Sequence, residues 1–219
     1  MEVNNHIGFL FDLDGVLIDS ERRYTEIWSE INRRIPTGVD GFEQKIKGTT
    51  LENILDSYFS ESDRPEVVRI LKAREHNMVY NYCPGARDLL EKIQQANLKA
   101  ALVTSSNDVK MARLWQQIPE LKTFFTVVID GNMVSRSKPD PEGYLTGAKA
   151  IGSIPESCVV FEDSLQGVKA GKAAGSYVVG VAGTLPETVI SPYCDIVVNS
   201  LTQIDFNLLC GMMEKRIQI

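Results

Sequence analysis

The chain has 219 residues, 43% of them hydrophobic, and its 23 lysines and arginines against 29 acidic residues give a net charge of −6. That length and apolar content suffice for one large domain, or for a domain with an insertion. The acidic balance disfavours a nucleic-acid-binding protein, which needs a basic face to neutralise phosphates, and no apolar run approaches the ~20 residues of a membrane span. We therefore expect neither nucleic acid nor a membrane as a partner.

Cysteine and histidine usage narrows the chemistry further. The four cysteines are far apart, with neither metal-binding nor redox spacing: Cys83, Cys158, Cys194 and Cys210. Together with the polar start Met1–His6, which does not resemble a signal peptide, they predict incidental or buried thiols in a reducing compartment, the cytoplasm. The two histidines, His6 and His76, have no nucleophile or ligand set close by in the sequence. This scarcity favours carboxylate chemistry over a histidine-based hydrolase or a zinc enzyme.

The first predicted element is also the most informative. The apolar run Ile7–Phe11 is followed at once by Asp12-Leu13-Asp14-Gly15. Such a run, ended by a turn signal, predicts a strand buried on both faces, as in a parallel sheet. Because open α/β sheets bind ligands at the carboxyl ends of their strands, we expect Asp12 and Asp14 at a ligand site, with a cation or a shared proton between them. The alternative is an Asp-Gly turn between two strands.

The region that follows, residues 17–84, is predicted to be helical. Apolar residues recur at helical spacing over residues 20–35, Thr49-Thr50-Leu51-Glu52 resembles a capping box, and Pro65-Glu66 begins another helix. The breaker Cys83-Pro84-Gly85 ends the region, which contains no convincing strand. We interpret it as a helical cap inserted into the first crossover of the sheet.

From Ala86 onward, strands and helices alternate. The predicted strands are Leu98–Thr104, Thr126–Ile129, Cys158–Phe161, Tyr177–Val181 and Asp195–Val198. The predicted helices span 86–96, 108–117, 141–151 and 164–174. This alternation predicts an α/β fold with a doubly wound parallel sheet. Residues 1–16 and 85–219 would form the catalytic core, and residues 17–84 the cap that sets substrate specificity.

Three later strand ends also carry useful side chains. Thr104-Ser105-Ser106-Asn107 opens a helix and could bind a phosphate, although serine and asparagine are also ordinary helix caps. In Ser137-Lys138-Pro139-Asp140-Pro141 the prolines stiffen the turn, which could present Lys138 to the site. The alternative is that Lys138 is a solvated surface lysine before a helix. Glu162-Asp163-Ser164 could bind a hard divalent cation opposite the first two aspartates, or cap the next helix. In a parallel sheet these ends meet at one edge.

The ordered set of four motifs resembles the haloacid dehalogenase (HAD) superfamily, in the helical-cap subgroup that includes β-phosphoglucomutase and sugar-phosphate phosphatases. The resemblance spans nearly the whole chain and implies a HAD-like, Rossmann-type core. It implies Asp12 as the nucleophile, Asp14 as the general acid/base, and Thr104 and Lys138 as the residues that hold the transferring phosphoryl group, helped by the amide of Ser105. Asp14 must start protonated while Asp12 is ionised, so we expect their surroundings to push the two pKa values apart.

The same resemblance implies magnesium as the cofactor. Its ligands would be Asp12, Asp163 and the backbone carbonyl of Asp14, with Glu162 binding directly or through water. Magnesium and Lys138 would neutralise the phosphomonoester so that an anionic nucleophile can approach it.

The cap departs from β-phosphoglucomutase. Where that enzyme has a phosphate-binding arginine and a histidine, this chain has Leu51 and Tyr24, which disfavours a mutase. Five cap cations could replace the arginine, although charged helix faces are more often solvated: Arg22, Arg23, Lys45, Lys47 and Lys72. The substrate-binding candidates are Ser105, Asn107, Gly48, Thr49, Thr50 and Tyr24.

These observations predict a magnesium-dependent phosphatase for small phosphorylated metabolites, in particular sugar phosphates, acting through a phosphoaspartate. A β-phosphoglucomutase-like phosphomutase, an inorganic pyrophosphatase and a non-catalytic regulator that binds a phosphorylated ligand are the alternatives. We expect a cytoplasmic monomer.

Overall fold

A computed structural model describes residues 7–47, 49–75 and 78–217, apart from the side chain of Glu21. Its strands are β1 (Gly8–Phe11), β2 (Lys99–Val103), β3 (Val127–Ile129), β4 (Cys158–Glu162), β5 (Tyr177–Val181) and β6 (Ile196–Val198). They form one sheet in the order β3-β2-β1-β4-β5-β6, and every neighbouring pair is parallel. The strand order reverses direction between β1 and β4, the place where open α/β sheets bind ligands.

Four helices lie between β1 and the rest of the sheet in the sequence. They are α1 (Glu21–Arg34), α2 (Phe42–Lys45), α3 (Leu51–Tyr58) and α4 (Arg64–Glu75), and we call them the helical insert. Aromatic rings hold the insert together. The centre of the Phe42 ring lies 5.9 Å from that of Trp28 and 5.8 Å from that of Phe59, and both pairs pack edge to face. Edge-to-face packing at these distances is a favoured aromatic geometry.

Six further helices cover the sheet. They are α5 (Ala86–Gln95), α6 (Asp108–Gln117), α7 (Glu142–Ala150), α8 (Leu165–Ala173), α9 (Glu187–Ile190) and α10 (Phe206–Ile217). Side chains alternate between the two faces of β1, so that Phe9 and Phe11 pack with residues of α5, α6 and α10, whereas Leu10 packs with residues of α7, α8 and α9. Both faces of the sheet are therefore buried, as its apolar strands require.

The predicted fold class is confirmed: the chain is an α/β protein with a doubly wound parallel sheet. The predicted ends of the strands, and of the helices that cover the sheet, lie within one residue of those observed. Helices α9 and α10 were not predicted. In α10, Gly211 interrupts the sequence and lowers helix propensity, but burial of Leu209, Cys210 and Met213 in the core outweighs that cost. The division into a catalytic core and a cap stays a prediction.

One local prediction is wrong. Thr49 was expected to open a capping box with Glu52, but α3 begins one residue later and Thr50 is its cap. The Thr50 hydroxyl accepts a hydrogen bond from the backbone N–H of Asn53 at 3.4 Å, and the residue three positions beyond this cap is asparagine rather than the glutamate of a capping box. Among the described residues the four cysteines are free thiols, and no helix has the length and apolar character needed to cross a membrane.

Candidate active site

Four polar side chains from distant parts of the chain meet at the carboxyl edge of the sheet. Asp12 follows β1, Thr104 follows β2, Asp163 follows β4, and Lys138 comes from the loop between β3 and α7. The Lys138 ammonium donates to Asp12 Oδ1 at 2.5 Å and to the carbonyl of Val103 at 3.2 Å. All four side chains line one cavity. The structure thus brings together residues that the sequence offered as separate motifs.

Three carboxylates cluster at this edge. Asp12, Glu162 and Asp163 are all buried, and one oxygen of each lies within 4.8 Å of the others. Oxygens on opposite sides of a magnesium ion lie about 4.2 Å apart, so the cluster has roughly the size and the hard oxygen donors that such an ion requires. The residues present therefore fit a divalent cation.

Two glycines make room for the cluster. Gly15 has a φ of +75°, and a Cβ at this position would lie 1.9 Å from Asp163 Oδ2. Gly167 lies in the first turn of α8, where a Cβ would lie 1.7 Å from Glu162 Oε1. Any other residue at either position would displace a carboxylate. Steric crowding therefore explains why both positions are glycine.

Glu162 is held by several donors. Its Oε1 accepts hydrogen bonds from Lys138 at 2.5 Å and from the Tyr144 hydroxyl at 2.8 Å. Its Oε2 accepts from the backbone N–H groups of Asp163 at 3.0 Å and Ser164 at 3.1 Å. These bonds fix Glu162 beside the amino-terminal end of α8, so that it orients Lys138 as well as contributing negative charge.

The crowded charges shift the pKa values of the site. Burial raises the pKa of Asp12 to about 8, Lys138 opposes this rise, and Glu162 and Asp14 add to it. Desolvation lowers the pKa of Lys138, but attraction to Asp12 and Glu162 outweighs it and leaves that pKa above its usual value. The excess of buried negative charge is what a bound divalent cation would offset.

Asp14 has a different environment. Its Oδ2 accepts hydrogen bonds from the Lys110 ammonium at 2.5 Å and from the Ser106 hydroxyl at 3.0 Å, and its Oδ1 accepts from the Ser20 hydroxyl. Desolvation would raise the pKa of Asp14, but Lys110 and the hydroxyl donors lower it below its usual value. The pKa values of Asp12 and Asp14 are separated in the direction opposite to the one expected, because burial raises the first and Lys110 lowers the second.

Lys110 is the site residue that the motifs missed. It lies in the first turn of α6 and is only 7% exposed, on the same buried side as Met111 and Leu114. A lysine is unfavourable near the positive end of a helix dipole, and it is rarely buried without a partner. A lysine on the apolar stripe of a predicted helix, directly after a candidate phosphate loop, was therefore the available signal.

The remaining predicted residues divide into two groups. Ser105, Asn107, Thr49 and Tyr24 line the cavity together with the four motif residues. Asn107 also caps α6, since its side-chain oxygen accepts from the backbone N–H of Lys110 at 3.0 Å. Two candidates do not join them. Thr50 caps α3 and lies outside the lining of this cavity, and Gly48 falls outside the described residues.

The helical insert closes the other side of the cavity. Five of the side chains that it contributes are apolar: Trp28, Ile46, Leu51, Ile54 and Leu71. It also brings the carboxylates of Glu43 and Glu75 to the cavity. Of the five cap cations considered as phosphate ligands, Lys47 alone lines the cavity within the described ranges, and its ammonium donates to the carbonyl of Thr184 at 3.2 Å.

Comparison with known proteins agrees with this geometry. The model of the haloacid dehalogenase-like hydrolase family matches residues 9–181. Hexitol phosphatase A of Escherichia coli is 32% identical over 202 residues, which cover 90% of this chain and 92% of the enzyme. β-Phosphoglucomutase of Bacillus subtilis is 28% identical over 217 residues, covering 91% of this chain and 92% of the enzyme.

A solved structure supports the fold. A HAD hydrolase of family IA, variant 3, from Entamoeba histolytica superimposes with a TM-score of 0.79 and 23% identity, covering 95% of this chain and 99% of that chain. The likeness extends over the sheet and the helical insert alike, since hardly any of either chain is left out.

Proposed function

Because the chain belongs to the haloacid dehalogenase-like hydrolases, as a phosphomonoester hydrolase, we propose that it is a magnesium-dependent phosphatase for small phosphorylated metabolites, sugar phosphates in particular. The observation that carries the proposal is the meeting of Asp12, Lys138 and Thr104 with the acidic cluster in one cavity. A nucleophile, a phosphate-binding cation and a metal site are the parts that phosphoryl transfer requires.

Asp12 is the nucleophile in this proposal. Its carboxylate oxygen attacks phosphorus, a phosphoaspartate forms, and the bond between phosphorus and the substrate oxygen breaks. The Lys138 ammonium, 2.5 Å from Asp12, and the Thr104 hydroxyl hold the phosphoryl oxygens. Water then attacks the phosphoaspartate, which releases inorganic phosphate and restores the Asp12 carboxylate.

Asp14 moves the protons. In the first step it gives a proton to the leaving alcohol, and in the second it takes a proton from the attacking water. The pair with Lys110 favours the ionised form of Asp14, which is the form that the second step needs. The first step needs the protonated form, so Asp14 must take up a proton before the leaving alcohol departs.

The acidic cluster would hold magnesium. Asp12, Asp163 and the backbone carbonyl of Asp14 are the proposed ligands, and Glu162 binds directly or through water. The ion, when bound, supplies positive charge to the phosphoryl oxygens and favours the ionised form of Asp12. Lys138, which contacts Asp12, supplies a second positive charge.

The insert supports a phosphatase over a phosphomutase. A mutase handles a substrate that becomes a bisphosphate, so its second phosphate needs cations away from the nucleophile. Here Leu51 lies in the lining, with the carboxylates of Glu43 and Glu75, and Lys47 is the one cation that the described part of the insert contributes. We therefore propose a substrate with one phosphate on an uncharged alcohol, and water as the acceptor.

Phosphate release from a metabolite panel tests the proposal. The panel contains sugar phosphates, polyol phosphates, a sugar bisphosphate and pyrophosphate, each with magnesium and with a chelator. We expect magnesium-dependent release from the monophosphates, abolished in Asp12→Asn and unchanged in Asp40→Asn, which alters an exposed aspartate. Isomer interconversion with little free phosphate would identify a phosphomutase, and preference for pyrophosphate a pyrophosphatase. No turnover at all would favour a binding protein.

A further inference from the structure

We propose that Lys110 is a positioning residue: held against Tyr24 of the helical insert, it fixes the Asp14 carboxylate at the cavity so that proton transfer depends on the insert standing over the site. The inference rests on the proposed function, because it assigns a task to the acid/base of that reaction. It adds to that function a residue from α6 and a physical link between the sheet and the insert.

The contacts of Lys110 are specific. Its Nζ lies 2.5 Å from Asp14 Oδ2 and 4.4 Å from the centre of the Tyr24 ring, and the side chain is 7% exposed. An ammonium ion this buried loses most of its hydration, and only a close anion and an aromatic face repay that loss. Replacing Lys110 alone would leave the Asp14 carboxylate without its ammonium partner.

Among the side chains that donate hydrogen bonds to the Asp14 carboxylate, Lys110 is the charged one. The other donors are the hydroxyls of Ser106 and Ser20, which are neutral and rotate. A charge-assisted bond is roughly twice as strong as a neutral one, so Lys110 is the main restraint on the orientation of the carboxylate. Without Lys110, the Asp14 carboxylate would keep only its two hydrogen bonds from hydroxyl groups. Because these are weaker, its orientation would be less restrained.

Tyr24 makes this restraint depend on the insert. Its ring belongs to α1, and its hydroxyl donates to Glu75 of α4 at 2.9 Å, so two insert helices hold the ring over Lys110. Ser20, the residue before α1, donates to the other oxygen of Asp14 instead of capping the helix. A shift of α1 would therefore change both sides of the Asp14 carboxylate at once.

The variant Lys110→Met tests this role, because it keeps the length of the side chain and removes the ammonium. The matched control is Lys169→Met, which removes a lysine that lies 4.9 Å over the Tyr193 ring, outside the cavity. We expect kcat on an alkyl phosphate to fall about 10- to 100-fold, part of the ~10²–10⁴ that a positioned acid/base supplies, with KM changed less than about two-fold.

A second readout separates positioning from general damage. A nitrophenyl leaving group needs no proton, so the first-turnover burst of nitrophenol from Lys110→Met should fall less than about three-fold. Equal loss of the burst and of alkyl phosphate turnover would mean that Lys110 is only structural, whatever the change in melting temperature. A raised KM with unchanged kcat would make it a substrate ligand. Either result overturns the inference.

Variants of Tyr24 test whether the insert acts on Asp14 through Lys110. They also replace Lys110→Met as the test if that variant does not fold. Tyr24→Phe keeps the ring face and should keep most of kcat, whereas Tyr24→Leu removes the face and should reproduce part of the Lys110→Met loss. Full activity in Tyr24→Leu would overturn the link to the insert. If the natural chain releases no phosphate from any monoester, the proposed function fails. If the natural chain does release phosphate and Lys110→Met has the same kcat, the inference alone fails.

Discussion

The two walls of the cavity are built on different principles. The core wall consists of residues at the carboxyl edge of the sheet, among them Asp12, Thr104, Lys138 and Asp163, which are polar or charged and buried or nearly so. The insert wall combines five apolar side chains, those of Trp28, Ile46, Leu51, Ile54 and Leu71, with the carboxylates of Glu43 and Glu75 and the ammonium of Lys47. One wall holds charge in fixed places, and the other offers shape.

This difference assigns chemistry to one wall and selection to the other. Lys138 and Asp12 keep their positions because they are opposite charges in contact, and electrostatic stabilisation is effective only when its groups are already in place. Apolar side chains discriminate by fit, which gives smaller differences in free energy per contact. Changes to the core wall should therefore lower the rate for every substrate, whereas changes to the insert wall should alter the preference between substrates.

Lys138→Met should have the largest effect. It leaves the buried carboxylates of Asp12 and Glu162 without their ammonium partner, so we expect about 3–5 kcal/mol of lost stability, as for other broken buried ion pairs. Turnover should fall by about 10³-fold or more for every substrate. Denaturant unfolding and phosphate release measure the two effects. A variant that loses activity toward only some substrates would contradict the assignment of Lys138 to the core wall.

Asp14→Asn should have the next largest effect. It removes the proton donor and acceptor but keeps the backbone carbonyl, so magnesium binding should persist. Steady-state turnover of alkyl phosphates should fall by about 10²–10⁴-fold. The first-turnover burst from a nitrophenyl phosphate should fall much less, since its leaving group needs no proton. Stopped-flow absorbance resolves this burst. Equal losses on both substrates would count against the acid role of Asp14.

Magnesium affinity should depend on pH. The pKa of Asp12 is raised to about 8, so at lower pH its folded-state carboxyl is mostly protonated and a proton competes with the ion. Affinity should therefore rise between about pH 6 and pH 8, by up to ~10-fold per pH unit while Asp12 is the group that loses its proton. Calorimetric titration without substrate measures this. Affinity that is constant over that range would mean that Asp12 does not exchange a proton for the ion there.

The insert wall should give the smallest effects on rate and the clearest effects on preference. Leu51→Arg adds a cation to the lining, and Glu43→Gln removes an anion from it. We expect each to raise kcat/KM for a sugar bisphosphate relative to the monophosphate by a few-fold to about ten-fold, about 1 kcal/mol. Hydrolysis of a nitrophenyl phosphate should stay nearly unchanged. A comparable fall on all substrates would show that the insert wall also takes part in catalysis.

Much of the core wall could be predicted from the sequence because each motif is local. A buried strand followed by polar residues places those residues at the sheet edge, whatever the rest of the chain does. This is why Asp12, Thr104 and Asp163 were expected where the structure has them. The cap of α3 was harder to predict, since Thr49 and Thr50 offer nearly the same signal and only the helix start decides between them.

The sequence by itself determined the strand order along the chain, the helical insert and the set of acids, hydroxyl and amine at the sheet edge. Only the tertiary structure decided which ionisation form of Asp14 is favoured, because its partner Lys110 lies 96 residues away along the chain and contacts it only in the fold. Electrostatic environment depends on distance and burial, which sequence spacing does not give. For the same reason, which insert residues face the cavity emerged only once α1, α3 and α4 were packed against the sheet edge.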